Sequence, residues 1–137
     1  MQGSNLTISV EEIQARVPVT VFHLIGDLDG NTYEEFQEKA EEAFQSGTRY
    51  LLLDLSQVPF VSSAGIRGLH HVFNLSRSDS VVESDQAISK GLRDGTFKSP
   101  HLKLLNPNQN VSNLLKITGY DMFLEVHHNL KEAVESF

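Results

Sequence analysis

The chain contains no cysteine, which excludes a disulfide framework and thiolate metal sites and is compatible with a reducing compartment. No apolar stretch approaches the roughly 20 residues that span a bilayer. The longest uncharged apolar run is "VPVTVFHLIG", which has the length of a strand. The opening "MQGSNLTISVEE" lacks a basic region followed by a long apolar one, so no secretory leader is expected. Positive charge is scarce, with 11 Lys and Arg against 18 Asp and Glu, a net charge of −7. That sign argues against nonspecific nucleic-acid binding and disfavours anionic membrane surfaces. Glycine and proline are few, nine and four, so the chain is neither low-complexity nor obviously disordered. What is present is 137 residues, 39% hydrophobic and 21% charged, enough for one compact domain with a core over 1–137 and too few for two.

The periodicity sets an order of elements. "LTISVEEIQ" alternates Leu6, Ile8 and Val10 with polar residues, the period of a strand, and "VPVTVFHLIG" follows closely enough to make a hairpin around Gln14 to Arg16. "GDLDGNT" is turn chemistry. In "NTYEEFQEKAEEAFQSG", Asn31 or Thr32 can cap a helix, each with a glutamate three residues on, and Tyr33, Phe36, Ala40, Ala43 and Phe44 make its apolar face up to Gly47. "YLLLDLS" is a continuous apolar run, typical of a strand covered on both faces. From Ser62 the period is helical, with Ile66, Leu69 and Phe73 on one face and small residues Ala64, Gly65 and Gly68 near the start. The polar segment at about 77–99 is an excursion, with "SDQAISKGL" as a short helix. "HLKLLN" reads as a strand and "NPNQNVSNLLKITG" as a helix burying Val111, Leu114 and Leu115 and ending at Gly119. "DMFLEVH" reads as the last strand, and "NLKEAVESF" as a closing helix capped by Asn129 with Leu130, Ala133, Val134 and Phe137 inward. The expectation is an α/β domain: a mixed, mostly parallel sheet opened by a β-hairpin and covered by about four helices.

Several chemistries compete for the polar residues. Ser62 and Ser63 sit at a strand-to-helix turn, as a hydrolase nucleophile would, but Phe60 stands where the first glycine of G-x-S-x-G belongs, and no spacing singles out His101, His127 or His128 as a base. Asp27, Asp29 and Asp54 suggest a phospho-aspartate receiver, yet a hairpin comes first and Lys103 lies inside its strand. The pairs His70–His71 and His127–His128 are adjacent, so each pair diverges and makes a poor metal site. Neither metal nor cofactor is expected. Glu34, Glu35, Glu38, Glu41 and Glu42 read as a solvated helix face offset by Lys39. The serine pair remains. One serine suits a helix N-cap, whose oxygen accepts an N–H two or three residues on. A second, exposed hydroxyl at a helix N-terminus is well placed to carry a phosphoryl group, because the helix dipole favours the anion.

"LIGDLDGNTYEEF" resembles the GELDxxT segment of STAS domains, the anti-sigma factor antagonist family. "LLLDLSQVPFVSSAGIRGL" resembles that family's strand, loop and helix around its regulatory serine. "LKLLNPNQNVSNLLKITGYDMFLEVHHNLKEAV" resembles its C-terminal half, and the likeness covers most of residues 6–137. The resemblance implies a cytoplasmic bacterial regulator, a binding module and kinase substrate but not an enzyme. Its implied partners are an anti-sigma factor with serine kinase activity and a PP2C-type phosphatase, with no nucleic acid and no membrane insertion. Anchored on Gly65, the family's phosphoacceptor falls on Ser63, with Ser62 the second choice. Asp29 matches the family's "LD" aspartate, Asp27 replaces its glutamate, and Thr32 matches the threonine that opens the first helix. The expected partner surface is Asp27, Asp29, Thr32, Ser62, Ala64, Gly65, Ile66 and Arg67. The 77–99 excursion and Ser62, where the best-known members have aspartate, leave an alternative: a scaffold that is not phosphorylated, or a sensor of a nucleotide or lipid.

Overall fold

The structure is a computed structural model that describes residues 6–77 and 98–137. The short helix expected at 84–92, and the excursion around it, lie outside the described residues. Five strands form one sheet: β1 (Thr7–Gln14), β2 (Pro18–Ile25), β3 (Leu51–Gln57), β4 (Leu102–Leu105) and β5 (Val126–His127). They lie side by side in chain order, β1 antiparallel to β2 and every later pair parallel. The helices among the described residues are α1 (Tyr33–Gln45), α2 (Ser63–Ser76), α3 (Gln109–Thr118) and α4 (Leu130–Glu135). This is the mixed, mostly parallel sheet opened by a hairpin that the periodicity implies.

Each strand sends alternate residues to opposite faces, and the two faces are covered unequally. On one face Phe22, Leu24, Leu51, Leu53, Leu102 and Leu104 pack with Phe36 and Ala40 of α1, Leu69, Val72 and Phe73 of α2, and Val111 and Leu115 of α3. Each such Val, Leu or Phe side chain, fully buried, contributes about 1.5–3 kcal/mol. On the other face Val19, Val21, Leu52 and Leu105 meet, among the described residues, Ala133 and Val134 of α4 and a fringe of half-buried residues. Polar side chains complete that thinner face. Lys103, 3% exposed, donates to the Ser136 carbonyl at 2.9 Å and lies 3.3 Å from the Glu125 carboxylate. Its ammonium also sits 4.8 Å from the Phe137 ring centroid. Farther along, His23 joins the Asp54 carboxylate at Nδ1 (2.7 Å) and the Glu11 carboxylate at Nε2 (2.8 Å), tying β1, β2 and β3 together.

Local signals are obeyed at most helix ends. Asn108 caps α3 by accepting from Val111 N–H, and Gly119, at φ +83°, closes it. Asn129 caps α4 by accepting from Glu132 N–H. Four expectations are corrected. The stretch 121–127 is not a full strand: Tyr120–Met122 form a 3₁₀ turn and only Val126 and His127 pair with β4. The reason is aromatic packing, since Tyr120 and Phe123 stack 5.0 Å apart and Phe123 meets Phe73 at 5.1 Å. Leu130, expected inward, is 37% exposed, because α4 has only six residues and buries Ala133 and Val134 in their place. Val10, in the strand alternation, is 45% exposed because β1 is the sheet's edge. Thr32 begins α1 but its side chain makes no cap bond; it turns back into the preceding loop.

The His23 contacts give the fold a pH dependence. The Glu11 hydrogen bond raises the imidazole above its ordinary 6.5, against the opposing effect of burial and with help from Asp54. For Asp54, burial pushes upward, but the Ser56 N–H and His23 outweigh it and the carboxyl ends below its usual value. A raised folded-state pKa adds stability that is complete below 6.5 and lost as pH climbs through the raised value. A lowered carboxyl adds stability present above the unfolded value and lost on acidification. Thermal melts are therefore expected to fall as pH rises from 6.5 through the raised imidazole value, by less than about 1 kcal/mol for so open a pair. His23→Gln should remove that alkaline slope; an unchanged slope would dismiss the contact as its source.

Candidate functional site

The carboxyl ends of β2 and β3 carry two loops that meet. β2 loses register with β3 after His23, and Gly26, at φ +118°, swings the chain away while its N–H still reaches the Gln57 carbonyl. Leu28 then makes a parallel bridge with Val61. Its N–H donates to Phe60 O and its carbonyl accepts from Ser62 N–H, each at 3.0 Å. The same carbonyl lies so close to α2 that a Cβ on Gly65 would stand 2.3 Å from it.

The first loop is wound around Thr32, which is fully buried. Thr32 Oγ1 donates to the Asp27 carbonyl and accepts from Asp29 N–H, both at 2.9 Å. The Asp29 carboxylate accepts from Asn31 N–H, and the Asp29 carbonyl accepts from Tyr33 N–H, also at 2.9 Å. The loop thus uses its polar groups on itself and presents the half-buried Asp27 and Asp29 side chains outward.

The second loop ends at Ser62, the cap of α2. Its Oγ accepts from Gly65 N–H at 3.3 Å, and its carbonyl takes the Ile66 N–H at 2.9 Å. A cap of this type contributes about 1 kcal/mol. Ser63 begins the helix with its side chain exposed and without a hydrogen-bond partner among the described residues. Ala64 and Gly65 face inward, Ile66 is half-buried and Arg67 is exposed. The Arg67 guanidinium lies 5.8 Å from the Tyr33 ring centroid, linking α2 to the start of α1.

The residues expected from the sequence therefore divide. Asp27, Asp29, Ser63, Ile66 and Arg67 reach the surface; Thr32, Ala64 and Gly65 shape it from beneath, with Ser62 as the cap. Two contributors lie outside that set. Phe60, after Pro59 in the loop, is 52% exposed beside the Leu28 bridge, and its only sequence signal is a large aromatic in turn chemistry. The Arg67–Tyr33 contact has no local signal, since it joins two helices. The other chemistries do not assemble here. Lys103 is committed to Ser136 and Glu125, and Asp54 to His23. No group of three His, Asp or Glu among the described residues could hold a metal ion, and no described helix is long and apolar enough to cross a membrane.

Solved structures share this architecture. A protein from Thermotoga maritima described as an anti-sigma factor antagonist superposes with a TM-score of 0.71 at 18% identity, covering 93% of this chain and 92% of that one. An anti-sigma factor antagonist from Mycobacterium paratuberculosis gives 0.67 at 18% identity over 94% and 91%. The Bacillus cell fate determinant SpoIIAA in its phosphorylated form gives 0.60 at 17% identity over 94% and 97%. At such identities the likeness establishes the fold. No curated protein sequence matches the chain.

The close approach at Gly65 is testable by itself. Gly65→Ala should cost about 1–3 kcal/mol through the Leu28 carbonyl, whereas Gly30→Ala, whose Cβ would make ordinary contact with Ala64 at 3.9 Å, should stay within about 0.5 kcal/mol in a urea melt. Equal stabilities would mean the two loops can part without cost. The family model described as the STAS domain matches residues 10–82, a span that contains both loops and all of α2. With more than half its length matched, and with the fold those solved structures share, this chain belongs to the STAS domain family.

Proposed function

We propose that the chain is a bacterial regulatory protein-binding module, an anti-sigma factor antagonist switched by phosphorylation of Ser63. The observation that carries this reading is the division of labour between two adjacent serines. Ser62 is spent as the α2 cap, while Ser63 keeps an exposed hydroxyl with no partner among the described residues, on the rim of the paired loops. Structures of this fold described as antagonists, SpoIIAA among them and solved also in a phosphorylated form, support it.

The partner in this reading is an anti-sigma factor with serine kinase activity. It docks on Asp27, Asp29, Phe60, Ile66 and Arg67, over the frame of Thr32, Ser62, Ala64 and Gly65. The kinase moves the γ-phosphoryl group of ATP to Ser63 Oγ; the hydroxyl proton leaves and ADP is released. Phosphate brings about −1.5 to −2 charge at neutral pH, one residue beyond Ser62, whose N–H holds the Leu28 carbonyl between Asp27 and Asp29. Bulk and repulsion of partner carboxylates then break the complex without refolding the domain. A PP2C-type phosphatase hydrolyses the ester, returning the hydroxyl and inorganic phosphate. The chain is a substrate and a ligand in this cycle, not a catalyst, and the cycle runs in the cytoplasm.

Intact mass after incubation with the candidate kinase and ATP tests the reading. The wild type should gain one phosphate and Ser63→Ala none, with the melting curve of Ser63→Ala unchanged. Ser62→Ala should keep the phosphate and lose about 1 kcal/mol of stability. Phosphate on Ser63→Ala would move the acceptor to Ser62. No phosphate from any kinase of the host would favour a scaffold or a nucleotide or lipid sensor, for which the cleft between Lys98, Lys116 and His128, about 430 Å³, is the place to look.

A further inference from the structure

Ser63 and Arg67 are four residues apart on α2, and both are exposed. On a helix such positions are neighbours, about 5–6 Å apart at Cβ. Helical side chains lean toward the N-terminus, so the position of Arg67 lets its long side chain swing back toward Ser63. Arg67 has no carboxylate within ion-pair distance among the described residues, although α1 opposite is rich in glutamate. Its one described partner is the Tyr33 ring, 5.8 Å away. The next residue on the same stripe, His70, sits against Tyr120 at 6.3 Å, which leaves Arg67 as the nearest cation along α2.

We infer that Arg67 is the internal partner of a Ser63 phosphate, and that it leaves the Tyr33 ring to become so. An exposed guanidinium on an aromatic face is weakly held. The same guanidinium binds a phosphate through two parallel, charge-assisted hydrogen bonds and is held more firmly. The mark then does two things. It covers part of its own charge, and it uncovers Tyr33 at the start of α1, immediately after the Asp29 loop. Modification at one helix thereby changes the surface shown by another, with no movement of the backbone. The inference rests on Ser63 as the site of modification, but its test does not require the kinase.

Phosphoserine is placed at position 63 by genetic encoding, in the full chain and in Arg67→Gln, and the second phosphate ionisation is followed by ³¹P NMR. The neighbouring Asp27 and Asp29 act on both proteins alike. The phosphate should titrate lower with Arg67 than without it, by about 0.3 unit or more. The Tyr33 ring resonances should move on phosphorylation in the wild type and stay still in Arg67→Gln. Equal titrations and a motionless Tyr33 would overturn the clamp whatever the kinase does. Failure of every kinase to mark Ser63 would overturn the proposed function and leave the clamp measurable. Arg67→Gln alters an exposed side chain, and its unmodified melting curve should match the wild type.

Discussion

One backbone carbonyl, that of Leu28, holds the site together. It accepts the Ser62 N–H and leaves room at Gly65 for nothing larger than hydrogen. With the Leu28 N–H on Phe60, it fastens the loop after β2 to the loop after β3 just beyond the point where the two strands stop pairing. The start of α2, its cap and the Thr32-wound aspartate loop all take their positions from this join. Crevices at the carboxyl ends of parallel strands are where open α/β sheets generally place their ligands. Here the Leu28–Val61 bridge spans the two loops at that end of the sheet, with the half-buried Asp27 and Asp29 and the exposed Ser63 around it.

The elements whose signals are local were legible in the sequence. The apolar run of β3, a serine cap for α2, the asparagine cap at 129 and the stop at Gly119 need only their immediate neighbours, and all are found. Two of the misread places are those where a contact outside the local pattern wins. Thr32 has capping chemistry, but the Asp27 carbonyl and Asp29 N–H claim its hydroxyl first. The run 121–127 has strand composition, but Phe123 packs on Phe73 and on Tyr120 and the backbone curls. At the candidate site the family pattern points to Ser63, Asp27 and Asp29, and the structure places Ser63 exposed and the two aspartates half-buried. Arg67 was legible as a residue but not as the neighbour of Tyr33, which requires two helices to be packed before it exists.

The two faces of the sheet solve burial differently. Three helices supply an apolar layer on one side. On the other, the one helix among the described residues is short and leaves room for ionic and hydrogen-bonded stitches: Lys103 into Ser136 and Glu125, and His23 between Glu11 and Asp54. The stitches occupy strand positions that would otherwise read as core, because His23 shares a face with Val21 and Asp54 with Leu52. A polar residue at an apolar parity is thus the one sequence trace such a network leaves.

Strand order along the sheet is the same as strand order along the chain. No strand waits for a later one to be inserted beside it. The hairpin can form within microseconds of its residues being available, and each following strand finds its neighbour already in place. Growth from one edge keeps every new pairing as short in sequence as its crossover permits, which favours fast folding over slow, non-local assembly. During synthesis, β2 and β3 can therefore pair, and both loops of the site can close, before the last two strands leave the ribosome.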